Sequence, residues 1–142
     1  MATTVELNTR CDINKLPPVV ITSASGQLPV LASTKILKGT LAMAVSGKAR
    51  KAATAVAGSV LLGVAVETYD NSGSGADTLM NQVYERGAFY FSGLGGDLPT
   101  AANIGGLVAI NDENTVKATV VANDLTVKLL GIEGTQFLVL IQ

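Results

Sequence analysis

The chain has 142 residues, with 10 Lys and Arg against 11 Asp and Glu, a formal net charge of -1, one Cys and no His or Trp. That length suits one domain, which buries roughly 68% of the surface its unfolded chain exposes, so a core needs neither disulfides nor metal. The balanced charge argues against a steered nucleic-acid binder, the missing His removes the commonest general base and metal ligand, and Cys11, with neither a base nor a second sulfur, reads as a small packed side chain.

Met1 to Lys15 has no apolar core and carries Glu6 and Asp12, so neither a secretory signal nor a transit peptide is expected. Residues 1–27 read as an extended N-terminal arm, and residues 28–142 as a single β domain. Thr4 to Leu7 alternate like a strand, and Pro17 with Pro18 are expected to break them from the strands downstream.

Beyond the arm, many of the 15 glycines and 4 prolines cut the chain into apolar runs of strand length. The predicted strands are Val19 to Ser23, Leu28 to Ala32, Thr40 to Val45, Ala49 to Ala52, Val60 to Glu67, Asn81 to Arg86, Ala88 to Ser92, Leu107 to Asn111, Val116 to Val120, Lys128 to Glu133 and Gln136 to Ile141. In "LVAIN" and "QFLVLIQ" both faces are apolar. Such strands are sandwiched, either in a closed barrel or between a sheet and a neighbouring subunit. The expected fold is all-β, a small β-barrel or β-sandwich.

Two segments invite another reading. Lys48 to Ala57 is alanine-rich and could be helical, although Gly47 and Gly58 favour turns. In Leu98 to Gly106, Thr100 can cap one short helical turn near residues 100–105, with Gly105 as the left-handed stop. The uncharged run Ala52 to Val66 has only 15 residues, whereas a membrane span needs about 20. A soluble product is expected, and its high mean hydropathy of +0.41 calls for apolar surface hidden between subunits.

The chain also repeats itself. Gly39 to Ala52 matches Gly105 to Ala118 at an offset of 66, and "LLGV" at Leu61 matches "LLGI" at Leu129 at an offset of 68. Each copy reads as a Gly turn, an outgoing strand, a polar hairpin, a returning strand, a loop and a strand beginning Leu-Leu-Gly. Two such β units would close one core, with Gly63 and Gly131 at equivalent bends or close backbone approaches.

No stretch supplies chemistry. "DNSGSGAD" misses the calcium-loop spacing and reads as a flexible hairpin tip; "GLGGD" lacks the Lys and helix of a phosphate loop and reads as a turn; no Ser-x-x-Lys is present. Neither an enzyme nor a cofactor is expected.

Lys38 and Gly39, Gly63 to Ala65, Asp70 to Gly73, Arg86 to Phe91, Ile104 to Ile110 and Asp112 to Val116 together resemble the small capsid decoration, or cement, proteins of tailed bacteriophages. The resemblance spans about Ile36 to Gln142, and departs from the family's pattern at Gly106, where Lys is common. It implies a virion protein on the outer capsid surface, made in the bacterial host cytoplasm. It also implies a homo-oligomer, a trimer being favoured, that bridges major capsid protein subunits without nucleic-acid or membrane partners. In that setting the arm, through Thr4, Val5, Glu6, Leu7, Asn8 and Arg10, would add a strand to a sheet edge on the capsid. The alternative is a phage tail or fibre module, or another β-rich ligand-binding domain, for which exposed loop aromatics would be the mark; here only Tyr69 borders a loop.

Overall fold

The structure, a computed structural model, describes residues 10–142, with side chains from Leu16 onward. The described chain is all-β, with strands β1 (Arg10–Ile21), β2 (Thr34–Ile36), β3 (Leu41–Val45), β4 (Lys48–Lys51), β5 (Val60–Ala65), β6 (Tyr69–Asn71), β7 (Gln82–Gly93), β8 (Leu107–Ile110), β9 (Thr115–Lys117), β10 (Thr126–Glu133) and β11 (Gln136–Ile141). A single 3-10 turn, Ala101–Asn103, lies between β7 and β8.

Five strands close a barrel in the order β7, β9, β8, β10, β11 and back to β7. The closure runs from Gln136 opposite Ser92 to Ile141 opposite Gly87. Only the β7–β9 seam is parallel, at Ser92–Thr115 and Gly93–Val116. A second layer, β4-β3-β5, joins the first half of β7 through Val64–Glu85 and Ala65–Tyr84, and β1 runs antiparallel to β7. β2 and β6 form a separate ribbon.

Two cores result. Phe89, Phe91, Val108, Ile110, Val116, Val127, Leu129, Phe137, Val139 and Ile141 belong to the barrel core, which Leu41, Ala52 and Val64 join from the second layer. Ile21, Val30, Ile36, Ala42, Ala49, Leu62, Ala65, Tyr69 and Tyr84 form the other. Neighbouring residues of one strand divide between them, Leu41 from Ala42 and Val64 from Ala65. β3 and β5 are therefore sandwiched within one chain, whereas β8 and β11 give residues to the barrel core alone. Each fully buried Phe or Leu contributes roughly 2 kcal/mol over leaving it exposed.

The internal repeat is visible in the pairing. β3 and β4 form a hairpin through Ser46 and Gly47, both with positive φ (51 and 76), as a two-residue turn matched to strand twist requires. β8 and β9 form its counterpart, and β5 and β10 lie antiparallel to the outgoing strands β3 and β8. The second Leu of each Leu-Leu-Gly is skipped in a pairing register. Leu62 has no partner between Gly63–Ala42 and Leu61–Met43, and Leu130 none between Leu129–Val139 and Gly131–Leu138. Each phrase thus encodes a β-bulge, although the first faces β3 and the second faces β11.

Several boundaries differ from expectation. Asn81 to Arg86 and Ala88 to Ser92 are one strand, because buried Gly87 (φ 128) carries β7 from one core to the other without ending it. Leu28 to Ala32 is not a strand; Val30 makes isolated bridges to Ala49 and Thr78. Val116 to Val120 stops at Lys117, since Ala118 and Thr119 turn to Asp97. Pro17 and Pro18 do not break β1, which begins at Arg10 rather than Val19; they sit at register shifts, and Arg86 Nε donates to Pro17 O at 2.9 Å. Lys48 to Ala57 is strand then turn, with Ala55 at φ 53, which excludes the helix.

Candidate binding surface

Of the residues assigned to a capsid-contacting arm, Thr4, Val5, Glu6, Leu7 and Asn8 lie outside the described residues. Arg10 opens β1 with its backbone opposite Phe89. Among the described strands β1 pairs with β7 alone. Val20, 62% exposed, lies on that strand.

Several exposed apolar side chains lie where β7 and β9 end and β8 begins. Gly93 closes β7; a Cβ there would meet Leu98 Cδ2 at 2.5 Å and Phe137 Cε2 at 2.6 Å, so these two side chains occupy the space a larger residue would need. The chain then enters the 3-10 turn, where Thr100 N donates to Asn103 Oδ1 at 2.7 Å. It leaves at Gly105 (φ 87), whose N–H donates to Leu129 O at 2.8 Å. Asp97 binds this segment to the next loop. Its carbonyl accepts from Ala118 N at 2.9 Å, and its carboxylate from Thr119 N and Oγ1 at 3.1 and 3.0 Å. The frame leaves Leu98, Ile104 and Leu107 exposed by 51%, 45% and 59%, with Val120 and Val121 beyond the Asp97 bridge. At the opposite end the barrel is plugged by its own second layer, and Leu41 N donates to Glu113 O in the β8–β9 turn at 3.0 Å. Sequence reasoning missed this rim because Leu98, Ile104 and Leu107 are dispersed through a segment that reads as a turn and a strand start.

Thr54, Lys117 and Asp124 come together without any sequence signal. Asp124, its side chain fully buried, accepts from Thr54 Oγ1 at 2.9 Å, Ala55 N at 2.8 Å and Val121 N at 2.9 Å, and pairs with Lys117 Nζ at 3.3 Å. Removal from water alone would raise its carboxyl, but these donors outweigh that and hold it below the usual carboxylate range. Lys117 Nζ also donates to Thr54 Oγ1 at 2.7 Å. The trio ties together the loop that carries Thr54 and the loop that carries Asp124.

The "DNSGSGAD" segment is tied down rather than a free tip. Buried Asn71 donates through Nδ2 to Val30 O, Leu31 O and Ala76 O at 3.1, 3.1 and 3.0 Å. Asp77 accepts from Ala32 N at 2.9 Å and pairs with Lys48 at 3.0 Å. "GLGGD" is a turn, with Asp97 N donating to Leu94 O at 3.1 Å and Gly96 at φ 91. Among the described residues no three His, Cys, Asp or Glu side chains are grouped to hold a metal, and no helix is long and apolar enough to cross a membrane. No protein-family model matches the chain, and neither a curated protein nor a solved structure matches it.

Proposed function

We propose that this protein is a capsid decoration protein that binds the outer surface of a tailed-phage head and bridges neighbouring major capsid subunits as a homotrimer. The observation that carries the reading is the apolar rim. A barrel plugged at one end by its own chain leaves Leu98, Ile104 and Leu107 open at the other, on a chain with few charges, which is the surface expected of a protein held between like neighbours. The residues behind the resemblance serve the backbone rather than chemistry: Gly39 (φ 81) donates to Ala65 O, and Arg86 secures β1.

The tail or fibre alternative is less well supported. All six aromatic residues are described; Tyr69, Tyr84, Phe89, Phe91 and Phe137 are buried, and Tyr90 is half-buried with its hydroxyl donating to Glu133. Five of the six rings are thus withdrawn from a sugar, and the sixth lies within a strand rather than at a loop.

Co-sedimentation with empty, expanded heads tests the proposal. The full chain should pellet with heads of its own phage and elute alone at three times the 14.5 kDa chain mass. The variant combining Leu98→Ser, Ile104→Ser and Leu107→Ser should keep its fold and bind heads about tenfold or more weakly, by loss of roughly 1.4 kcal/mol or more of apolar contact. A chain lacking residues 1–9 keeps the residues of every described strand and tests the contribution of Thr4 to Asn8. Failure of the full chain to bind those heads would overturn the proposal.

A further inference from the structure

A cleft of about 470 Å³ opens between β2, β4 and the β8–β9 turn, within the size range of ligand sites. Lys35, Arg50 and Lys51 line it against one carboxylate, Glu113. The ion pairs there are loose: Lys51 is 3.7 Å from Glu113, and Lys35 is 3.9 Å from Asp70, with both lysines about half exposed or more. Arg50, half-buried on β4, has no ion pair among the described residues. Lys48 of the same strand, by contrast, is held by Asp77 at 3.0 Å. β4 therefore neutralises a cation outside the cleft and leaves those inside it under-neutralised. Leu31 and Leu37 add apolar wall.

We propose that this cleft is a carboxylate-binding site. The planar fork of Arg50 matches a carboxylate in two parallel hydrogen bonds. Lys35 and Lys51 flank it with mobile charge, and the leucines accept the short methylene stem of the ligand. The carboxylate comes either from an acidic side chain of an extended partner segment or from a small organic diacid. The site stands apart from the apolar rim and does not rest on the capsid reading.

The test is fluorescence anisotropy of a labelled hexaglutamate peptide with the full chain at low salt. Binding should weaken about tenfold or more in Arg50→Gln, recover in part in Arg50→Lys, and change less than about twofold in Lys128→Ala on β10. Should Arg50→Gln fail to melt cooperatively, Lys51→Gln at an exposed position must still weaken binding about threefold. Displacement of the peptide by glutarate assigns a small diacid; displacement only by unlabelled peptide assigns a partner segment. Absent wild-type binding, equal losses in Arg50→Gln and Lys128→Ala, or displacement by inorganic phosphate as efficient as by glutarate would each overturn the proposal.

Discussion

At Gly63 (φ 142) an added Cβ would lie 2.5 Å from Glu85 O and 3.1 Å from Tyr84 Cβ, so β5 can approach β7 here only without a side chain. Gly131 occupies the same place in the second Leu-Leu-Gly, yet nothing lies within 4 Å of its virtual Cβ and its φ is not positive. The two glycines that look interchangeable in sequence are therefore not. Gly63→Ala combines a backbone clash with a disfavoured conformation and should destabilise by about 3 kcal/mol or more. Gly131→Ala should change stability by less than about 1 kcal/mol. Urea denaturation of both variants checks the contrast, and equal losses would contradict the close approach at Gly63. Buried polar side chains in the second core follow the same residue-level logic. Gln82, with no exposed surface, donates to Leu28 O at 2.9 Å and accepts from Tyr84, while Tyr69 donates to Val83 O at 3.1 Å and accepts from Val83 N at 2.7 Å. Burial raises the Tyr84 hydroxyl well above its ordinary range, with Tyr69 nearby adding to it. Gln82→Leu, which leaves the Leu28 carbonyl and the Tyr84 hydroxyl without these partners, should lower stability by about 2 kcal/mol despite its similar volume, measured in the same denaturation series.

Between elements, Asp124 links the loops that follow β4 and β9, equivalent connections in the two β units. Asp124→Ala would strip four partners and leave Lys117, only 12% exposed in its side chain, without its counter-ion, at a cost of about 3 kcal/mol. The pH dependence has a definite sign. The folded carboxyl lies below its unfolded value of about 3.9, so the unfolded chain binds the proton more tightly; the contribution is complete above that value and is lost as pH falls through the folded one. Melting temperature should therefore hold from pH 7 to about pH 5 and drop below about pH 4, and Asp124→Asn should flatten part of that drop. Asp70, lowered by hydrogen bonds from Ser72, and Asp77, lowered chiefly by Ala32 N–H, titrate in the same direction, so some acid sensitivity remains in the variant. An acid profile identical to wild type would refute the role given to Asp124. Alternation and turn residues made most strands legible in sequence, because period-two patterning and the Ser46-Gly47 hairpin are local. The ribbon of β2 and β6 was not, since each has three residues and is held by partners about 35 positions away. The Asp124 clamp and the apolar rim escaped for a related reason: each joins loop residues to the end of a strand, Lys117 on β9 and Leu107 on β8, and no local pattern marks their meeting.

Across the whole molecule, β7 decides whether the two cores behave as one. Its first half gives Tyr84 to the second core and its latter half gives Phe89 and Phe91 to the barrel, while β3 and β5 likewise contribute to both. Neither core can lose its packing without withdrawing strands that line the other, so the chain should unfold in one transition despite its two clusters. In a Tyr90→Phe background, Tyr69 and Tyr84, edge to face at 5.6 Å between ring centroids, give the second core its own tyrosine near-ultraviolet signal, whereas far-ultraviolet circular dichroism follows all strands. The two signals should share one midpoint in denaturant. Leu129→Ala, placed wholly in the barrel, should cost about 3 kcal/mol and move both midpoints equally, although the mutated side chain belongs to the other core. A tyrosine midpoint left unmoved while the far-ultraviolet transition shifts would mean that the barrel and the second layer unfold separately. β7 would then be a covalent link between two units rather than a shared wall.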